Sequence, residues 1–412
     1  LARLTAAADL SEALGLRLYV VGGAVRDLLL GRASPDLDLV AEGGPAAAVR
    51  LGEALAARDA SVRLNVYGRY QTAALTWPDG FAVDIATART EFYARPAANP
   101  EVESAPIRLD LYRRDFTINA MAVALGGERA WRLIDPFGGR RDLAARLVRV
   151  LHPNSFIEDP TRIYRAVRFA LRLGFRIAPQ TEAFIRRTLR TGLHDGIGGE
   201  RLKNELEYLL AAPYWLKGLA WLGWLDALRC LDPAIRCTAA LRRALRRLDR
   251  AAAALPRLVT PPAQLRLERL LLEAPPPVVE RIHLEGRSAT RLAAVRAAEA
   301  AVHACLATRP SPGTLHRACG SQLSAEQILL LATWGATAAE GDRLLGYLAR
   351  REALTPLVSG DDLKALGLRP GPHYREILES AAVAQLDGVF ADRGTALTWL
   401  EAQVVTRQQQ RE

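Results

Sequence analysis

The stretch Leu18-Tyr19-Val20-Val21-Gly22-Gly23-Ala24-Val25-Arg26-Asp27-Leu28-Leu29-Leu30-Gly31, followed by Asp36-Leu37-Asp38-Leu39-Val40, decides the fold of the first part of this chain. The apolar run Leu18 to Val21 predicts a buried strand. The leucines that follow recur at helical spacing, and Gly31 stands where a helix stops. A turn with two glycines therefore opens a helix. Gly22 and Gly23 let main-chain N–H groups approach a triphosphate with no Cβ in the way, and Arg26 in the first turn adds a full positive charge.

From Leu37 to Val40 the period is two. Asp36 and Asp38 then point to one side of a strand, about 7 Å apart along it, while Leu37 and Leu39 point into the core. Two carboxylates so placed suit hard cations such as Mg2+ and the two-metal chemistry of phosphoryl transfer. A lone Asp-x-Asp is more often a solvated strand end, and a Gly-Gly turn alone says little. Their order and closeness carry the reading. A third acid, Asp84, lies in the strand Phe81-Ala82-Val83-Asp84-Ile85-Ala86 after a Pro78-Asp79-Gly80 turn. An acid amid apolar neighbours needs a metal or an ion pair.

With these residues the chain resembles the class II tRNA nucleotidyltransferases and bacterial poly(A) polymerases, a branch of the DNA polymerase beta superfamily. The resemblance continues through Arg113-Arg114-Asp115-Phe116-Thr117-Ile118-Asn119-Ala120-Met121-Ala122 and Asp135-Pro136-Phe137-Gly138-Gly139-Arg140-Arg141-Asp142-Leu143. It then runs through Glu158-Asp159-Pro160-Thr161-Arg162-Ile163-Tyr164-Arg165-Ala166-Val167-Arg168-Phe169 and Glu200-Arg201-Leu202-Lys203-Asn204-Glu205. It implies a template-independent RNA nucleotidyltransferase with Mg2+ as cofactor. CTP and ATP would be its substrates and the tRNA 3′ end its partner.

Each block also has a reading of its own. Asp115, preceded by Arg114, has a carboxylate able to accept from a ribose hydroxyl, and Asn119 one helical turn on shares that face. The competing reading makes Asp115 the cap of a helix beginning at Phe116. Asp135, Gly138, Gly139 and Asp142 read as turn and bracing residues. Pro160 fits the first position of a helix with Asp159 as its N-cap and Arg162 one turn further. The resemblance implies that Asp159 and Arg162 read the Watson–Crick edge of the incoming base. A mismatched base leaves buried polar groups unpaired there, and such sites discriminate by as much as roughly 10⁴–10⁵. The alternative is a cap and a surface charge. Arg165 and Arg168 either bind triphosphate or hold the helix against the head.

The chain of 412 residues carries a net charge of +10, which favours a polyanionic partner. Only Lys203, Lys217 and Lys364 of the 55 basic residues are lysines, a bias that a GC-rich genome also produces. Four cysteines without Cys-x-x-Cys spacing suit a reducing cytoplasm, and metal binding by His303, Cys305, His316 and Cys319 is disfavoured. No signal peptide or uninterrupted apolar run of membrane length is present in the sequence. Met121 is the only methionine, so residues are expected before Leu1.

The predicted class is α+β: a nucleotidyltransferase (polymerase beta-like) head with a small mixed sheet, followed by an all-α neck, body and tail. The expected boundaries are 1–151 for the head, 152–212 for the neck, 213–350 for the body and 351–412 for the tail. Residues 89 to 110 read as a long connection, and relatives carry a flexible loop there; Ala97-Ala98-Asn99 departs from their pattern. Trp215, Trp221 and Trp224 read as core. The basic face Arg242, Arg243, Arg246, Arg247 and Arg250 tracks RNA phosphates or is merely solvated. The tail segment from Ser359 offers a second RNA contact through Gly360 and Lys364 at a helix start, with simple packing as the alternative. A poly(A) polymerase and a catalytically inactive tRNA-binding module are the rival functions.

Overall fold

The computed structural model describes residues 2–34, 37–92, 101–128, 130–192, 199–284, 286–319 and 322–409. Two compact units result, residues 1–231 and 232–412.

The first unit opens with α1 (Ala2–Ala13), β1 (Arg17–Val21), α2 (Gly23–Leu29), β2 (Asp38–Glu42) and α3 (Ala47–Arg58). There follow β3 (Arg63–Tyr67), β4 (Thr72–Thr76), β5 (Ala82–Thr87), β6 (Arg89–Phe92), β7 (Glu101–Ser104), α4 (Ile107–Tyr112), β8 (Ala122–Ala124) and β9 (Leu133–Ile134). Among the described residues a seven-stranded mixed sheet runs β3-β4-β5-β2-β1-β8-β9. Its only parallel pair is β2 with β5; the others are antiparallel.

Period-two alternation builds a core on each face of the sheet. Leu18, Leu39, Ala41, Leu75, Val83 and Ile85 pack on α1 and α3 through Ala7, Leu10, Ala48 and Leu51. Tyr19, Val21 and Val40 point the other way, toward Leu111, Ala120 and Ala122. Asp38 and Asp84 alternate with Leu39, Val83 and Ile85, so they leave the α1/α3 face for the second one.

Several expectations change in this unit. Residues 89 to 110 are not one irregular connection, because β6 and β7 pair antiparallel from Arg89↔Ser104 to Phe92↔Glu101 and α4 follows. Ala97-Ala98-Asn99 lies outside the described residues. No α-helix begins at Phe116, which is extended; a single 3₁₀ turn occupies Thr117–Asn119. The strands also continue past residue 150. After α5 (Gly139–Ala144), β10 (Leu147–Val148) pairs in parallel with β11 (Arg176–Ile177).

The helical part of this unit comprises α6 (Ser155–Glu158), α7 (Thr161–Leu173), α8 (Pro179–Arg190), α9 (Gly199–Ala211) and α10 (Trp215–Trp224). Ile163, Tyr164, Ala166, Val167 and Ala170 bury one side of α7, and left-handed Gly174 ends it. α10 packs on α7 and α9, and the Tyr164 hydroxyl donates to the Ala227 carbonyl at 2.7 Å. The helix expected to begin a separate body thus belongs to the head-and-neck unit. Trp215 is buried, but Trp224 is 58 % exposed. Nine residues separate them, half a revolution out of phase at about 100° per residue. Trp224 instead lies 4.3 Å from the Arg186 guanidinium.

The second unit is helical: α11 (Ala239–Ala253), α12 (Pro262–Leu271), α13 (Pro277–Arg281), α14 (Arg287–Ala307), α15 (Pro312–Cys319), α16 (Ala325–Thr333), α17 (Ala338–Ala353), α18 (Gly360–Ala365), α19 (Pro372–Leu386) and α20 (Arg393–Gln409). The tail helices gather around Leu363, Ile377, Phe390 and Leu400. α15 joins α19, with the Gly313 amide donating to Asp387 at 2.6 Å. Body and tail therefore form one unit. No helix among the described residues is long and apolar enough to cross a membrane.

Candidate active site

A cleft of about 680 Å³ in the first unit is lined from four directions. Gly22, Gly23 and Arg26 come from the β1–α2 turn, Asp38 from β2, Arg113, Arg114, Asp115 and Asn119 from the segment after α4, and Asp159, Arg162 and Arg165 from the start of α7. Arg201 of α9 and Glu91 of β6 complete it.

Gly22 has φ +70°, and a Cβ there would lie 2.8 Å from Arg114 Nη1. Backbone conformation and the approach of Arg114 each require glycine. Gly23 has no such restriction, since its nearest neighbour would sit at 3.6 Å. Arg26 is buried and held by both oxygens of Asp27 at 2.8 Å, while its Nη1 donates to Asn119 Oδ1 at 2.6 Å. Its charge is already balanced by Asp27, so its structural effect is to brace α2 against the 3₁₀ turn.

Asp38 and Asp84 are register partners on the parallel strands β2 and β5. Adjacent strands lie about 4.8 Å apart, and both acids are exposed. Asp84 is not buried amid its apolar neighbours, as the sequence suggested, because Val83 and Ile85 face the opposite side. It has no ion pair or side-chain hydrogen bond among the described residues. That is the donor set a hard divalent cation takes. Asp36 lies outside the described residues.

Asp115 is buried with all four acceptor positions taken. Oδ1 accepts from the Phe116 amide at 2.8 Å and Asn119 Nδ2 at 2.9 Å. Oδ2 accepts from Arg165 Nε at 3.0 Å and Nη2 at 2.6 Å. Burial works to raise this carboxyl, but Arg165, Asn119 and Arg162 hold it below the usual range. A ribose hydroxyl reaches Asp115 only by exchanging for one of these donors. Arg165 also donates to Glu205 Oε1 at 3.2 Å, and the Asp115 charge raises it above an ordinary arginine. Arg168 pairs with Glu205 Oε2 at 3.1 Å and stacks 5.2 and 5.3 Å from Phe169 and Tyr208. Arg165 thus ties α7 to the head, and Arg168 ties it to α9.

Asp159 Oδ1 accepts from the Thr161 amide at 3.1 Å and hydroxyl at 2.5 Å, so it caps α7 although Pro160 is the residue flanking the helix. Its Oδ2 takes Arg201 Nη2 at 2.6 Å, with Arg162 Nε at 4.0 Å. Arg162 is 5 % exposed, not a surface charge. Its Nη1 donates to Ser155 Oγ and its Nη2 to the Arg113 carbonyl, both at 2.7 Å. Beside it, His152 lies 3.3 Å from Glu158 and is pushed down to about 4, by burial first and then by Arg162. Burial raises Glu158, partly offset by Arg162.

Sequence reasoning missed Asp110. It is fully buried and takes Arg113 Nη2 at 2.7 Å and Arg114 Nη2 at 2.9 Å. Burial works to raise its carboxyl; Arg114 and then Arg113 more than offset that and hold it low. The signal was available, since an acid three and four residues before two arginines faces both on a helix. Glu91 and Arg201 carried no comparable mark.

In the second unit, Arg243 and Arg246 are exposed on α11. Arg247 is drawn into packing, donating to Asp342 at 2.6 Å and the Ala338 carbonyl at 3.1 Å. Lys364 is exposed on α18, whose start is closed by Ser359 and Asp362. His316 Nδ1 lies 2.9 Å from the Tyr347 hydroxyl.

A glycine turn between strand and helix, beside paired aspartates on adjacent strands of a small mixed sheet, defines a nucleotidyltransferase head. Residues 18–149 match the model of the poly A polymerase head domain. The chain is 33% identical over 422 residues to an A-adding tRNA nucleotidyltransferase of Geobacter sulfurreducens, covering 93% of this chain and 44% of that protein. It is 30% identical over 414 residues to the A-adding tRNA nucleotidyltransferase of Halalkalibacterium halodurans, covering 94% and 89%. A solved CCA-adding enzyme in its apo form II superimposes with a TM-score of 0.82 at 31% identity, over 97% of this chain and 95% of that one. The chain belongs to the tRNA nucleotidyltransferase family. It spans less than half the length of the Geobacter relative.

Proposed function

We propose that this protein is a template-independent nucleotidyltransferase that adds CMP, AMP or both to the tRNA 3′ end from CTP and ATP, releasing pyrophosphate. The observation that carries this reading is the single cleft lined by the glycine turn, Asp38, the Asp115–Asn119 cluster and the Asp159–Arg162 pair. Relatives named A-adding support it, as do similar CCA-adding enzymes solved with tRNA, with CTP and with ATP.

In this mechanism the 3′ hydroxyl attacks the α-phosphorus, the bond to the bridging β-phosphate oxygen breaks, and the hydroxyl proton passes to solvent. Asp38 and Asp84, with Asp36, would hold divalent cations, Mg2+ in our reading, which polarise the attacking and leaving oxygens. Gly22 makes the turn, its own amide being spent on the Met121 carbonyl at 3.1 Å, so Gly23 and the start of α2 would offer main-chain amides to the triphosphate, and Arg114 lies over the turn. Asp115 and Asn119 read the ribose through exchange with Arg165. Asp159 accepts from an exocyclic amine of the base while Arg162 donates to its ring nitrogen or carbonyl. Arg168 holds α7 in register. Arg243, Gly360 and Lys364 contribute RNA phosphate contacts, with Arg247 supporting the helix that bears Arg243. Four free cysteines suit a reducing cytoplasm, where we place the protein.

The head model's match favours a second reading, a poly(A) polymerase. Labelled ATP with a tRNA ending in C-C, or with an unstructured RNA of equal length, separates them. One AMP added to tRNA alone supports the first reading; long A tracts on both RNAs support the second.

A further inference from the structure

Asp110 touches neither glycine turn nor base-reading pair, yet both are built on residues it holds. Its carboxylate is fully buried. Oδ1 accepts from Arg113 Nε at 3.1 Å and Nη2 at 2.7 Å and from the Arg89 amide at 3.3 Å. Oδ2 accepts from Arg114 Nη2 at 2.9 Å, with Nε at 3.3 Å. One anion therefore fixes two adjacent guanidinium groups.

The two serve different ends of the cleft. Gripped by Asp110 through Nε and Nη2, Arg114 presents Nη1 against Gly22, where even a methyl group would collide with it. Arg113 pairs through Nη1 with Glu91 at 2.7 Å, and its carbonyl accepts from Arg162 Nη2 at 2.7 Å. From one carboxylate the contacts thus run to the triphosphate turn on one arm and to the base-reading guanidinium on the other.

We propose that Asp110 is a positioning residue that sets nucleotide affinity through Arg114 and base selection through Arg113 and Arg162. This rests on the nucleotide-cleft reading above. A buried carboxylate between two guanidinium groups is rigid, because a shift of either cation leaves an unpaired charge in a low-dielectric site. Asparagine keeps the shape but loses the charge, and its amide N–H₂ faces one of the two arginines.

The test compares wild-type protein, Asp110→Asn, Arg162→Ala and the double variant for single-nucleotide addition of CMP, AMP, UMP and GMP to tRNA. Thermal melting serves as the folding control. Asp110→Asn should raise the nucleotide KM at least tenfold, leave the tRNA KM within threefold, and lower the preference for CTP or ATP over UTP at least tenfold. In the Arg162→Ala background it should still raise KM but cause no further loss of preference. An equal fall in kcat for all four nucleotides, with KM and preference unchanged, would reduce Asp110 to a packing role and overturn the inference. Additive loss of preference in the double variant would do the same. If Asp110→Asn does not fold, the arms are tested singly. Arg114→Lys should then raise nucleotide KM at constant preference and Arg113→Lys should relax preference; the same profile in both overturns the proposal. Wild-type protein that adds no nucleotide contradicts the functional reading itself, whereas an active wild type beside an unaltered Asp110→Asn variant overturns only this inference.

Discussion

Asp38 and Asp84 face one another as register partners on the two parallel strands of an otherwise antiparallel sheet. The parallel pair brings two carboxylates from distant parts of the chain to one face, at a strand spacing of about 4.8 Å. Either Asp38→Ala or Asp84→Ala should lower nucleotide addition by roughly two orders of magnitude or more, since each removes a hard ligand. RNA binding by filter retention should change less than about tenfold, because the phosphate contacts lie elsewhere. Turnover above a few per cent in either variant would contradict the metal assignment.

The glycines of the turn are not equivalent. Gly22→Ala forces on alanine a sparsely populated positive-φ conformation (φ +70°, ψ −125°), at about 1–3 kcal/mol, and drives the methyl group into Arg114. It should lower thermal stability and raise the KM for CTP and ATP. Gly23→Ala should leave stability nearly unchanged. Equal melting temperatures for the two variants would contradict this account.

Asp159→Ala should relax base choice, admitting UTP or GTP, as well as weaken the cap of α7 by about 1 kcal/mol. Incorporation assays with single nucleotides decide it. A slower variant with the same nucleotide ratio makes the residue a cap alone.

His152 gives an acid-side signature. Its folded value of about 4 lies below the unfolded 6.5, so the unfolded chain binds the extra proton between those values and stability rises with pH there. The contribution is fully present above pH 6.5 and is lost as pH falls toward 4, by up to ~3 kcal/mol. His152→Phe should lose less stability between pH 7 and 4.5 than wild type in denaturant titrations. Parallel curves would contradict the shift.

Phosphate-led RNA binding predicts a linear fall of log affinity with log salt, losing roughly 0.7–0.9 of slope per contact removed. Arg243→Ala with Arg246→Ala should reduce that slope. Arg247→Ala should chiefly loosen α11 against α17, because its guanidinium is spent on Asp342 and the Ala338 carbonyl. An unchanged slope in the first variant would make the basic face merely solvated.

The head was legible because its signals are local. A period-two run, a glycine pair and helically spaced leucines each declare their element within a few residues, and β1, α2 and β2 lie where they place them. Burial was harder to read. Asp84 looked like a buried acid, since sequence shows neighbours along a strand but not which face they leave open. Saturation of Asp115 was invisible for the same reason, because Arg165 lies 50 residues away. Trp224 misled through its spacing, which puts it half a turn from Trp215. The unit boundary near residue 231 depends on α10 packing against α7 and α9, a tertiary fact with no compositional mark.

The central claim is tested most directly by three tRNAs, lacking the terminal C-C-A, lacking C-A, or lacking A only. Each is incubated with Mg2+ and labelled CTP, ATP, UTP or GTP singly, and the new 3′ ends are sequenced. The account predicts CMP on the first two, AMP on the third, or one of these alone, with no UMP or GMP and with synthesis stopping at C-C-A. No addition to any of the three, or untemplated extension past the terminal A, would contradict it.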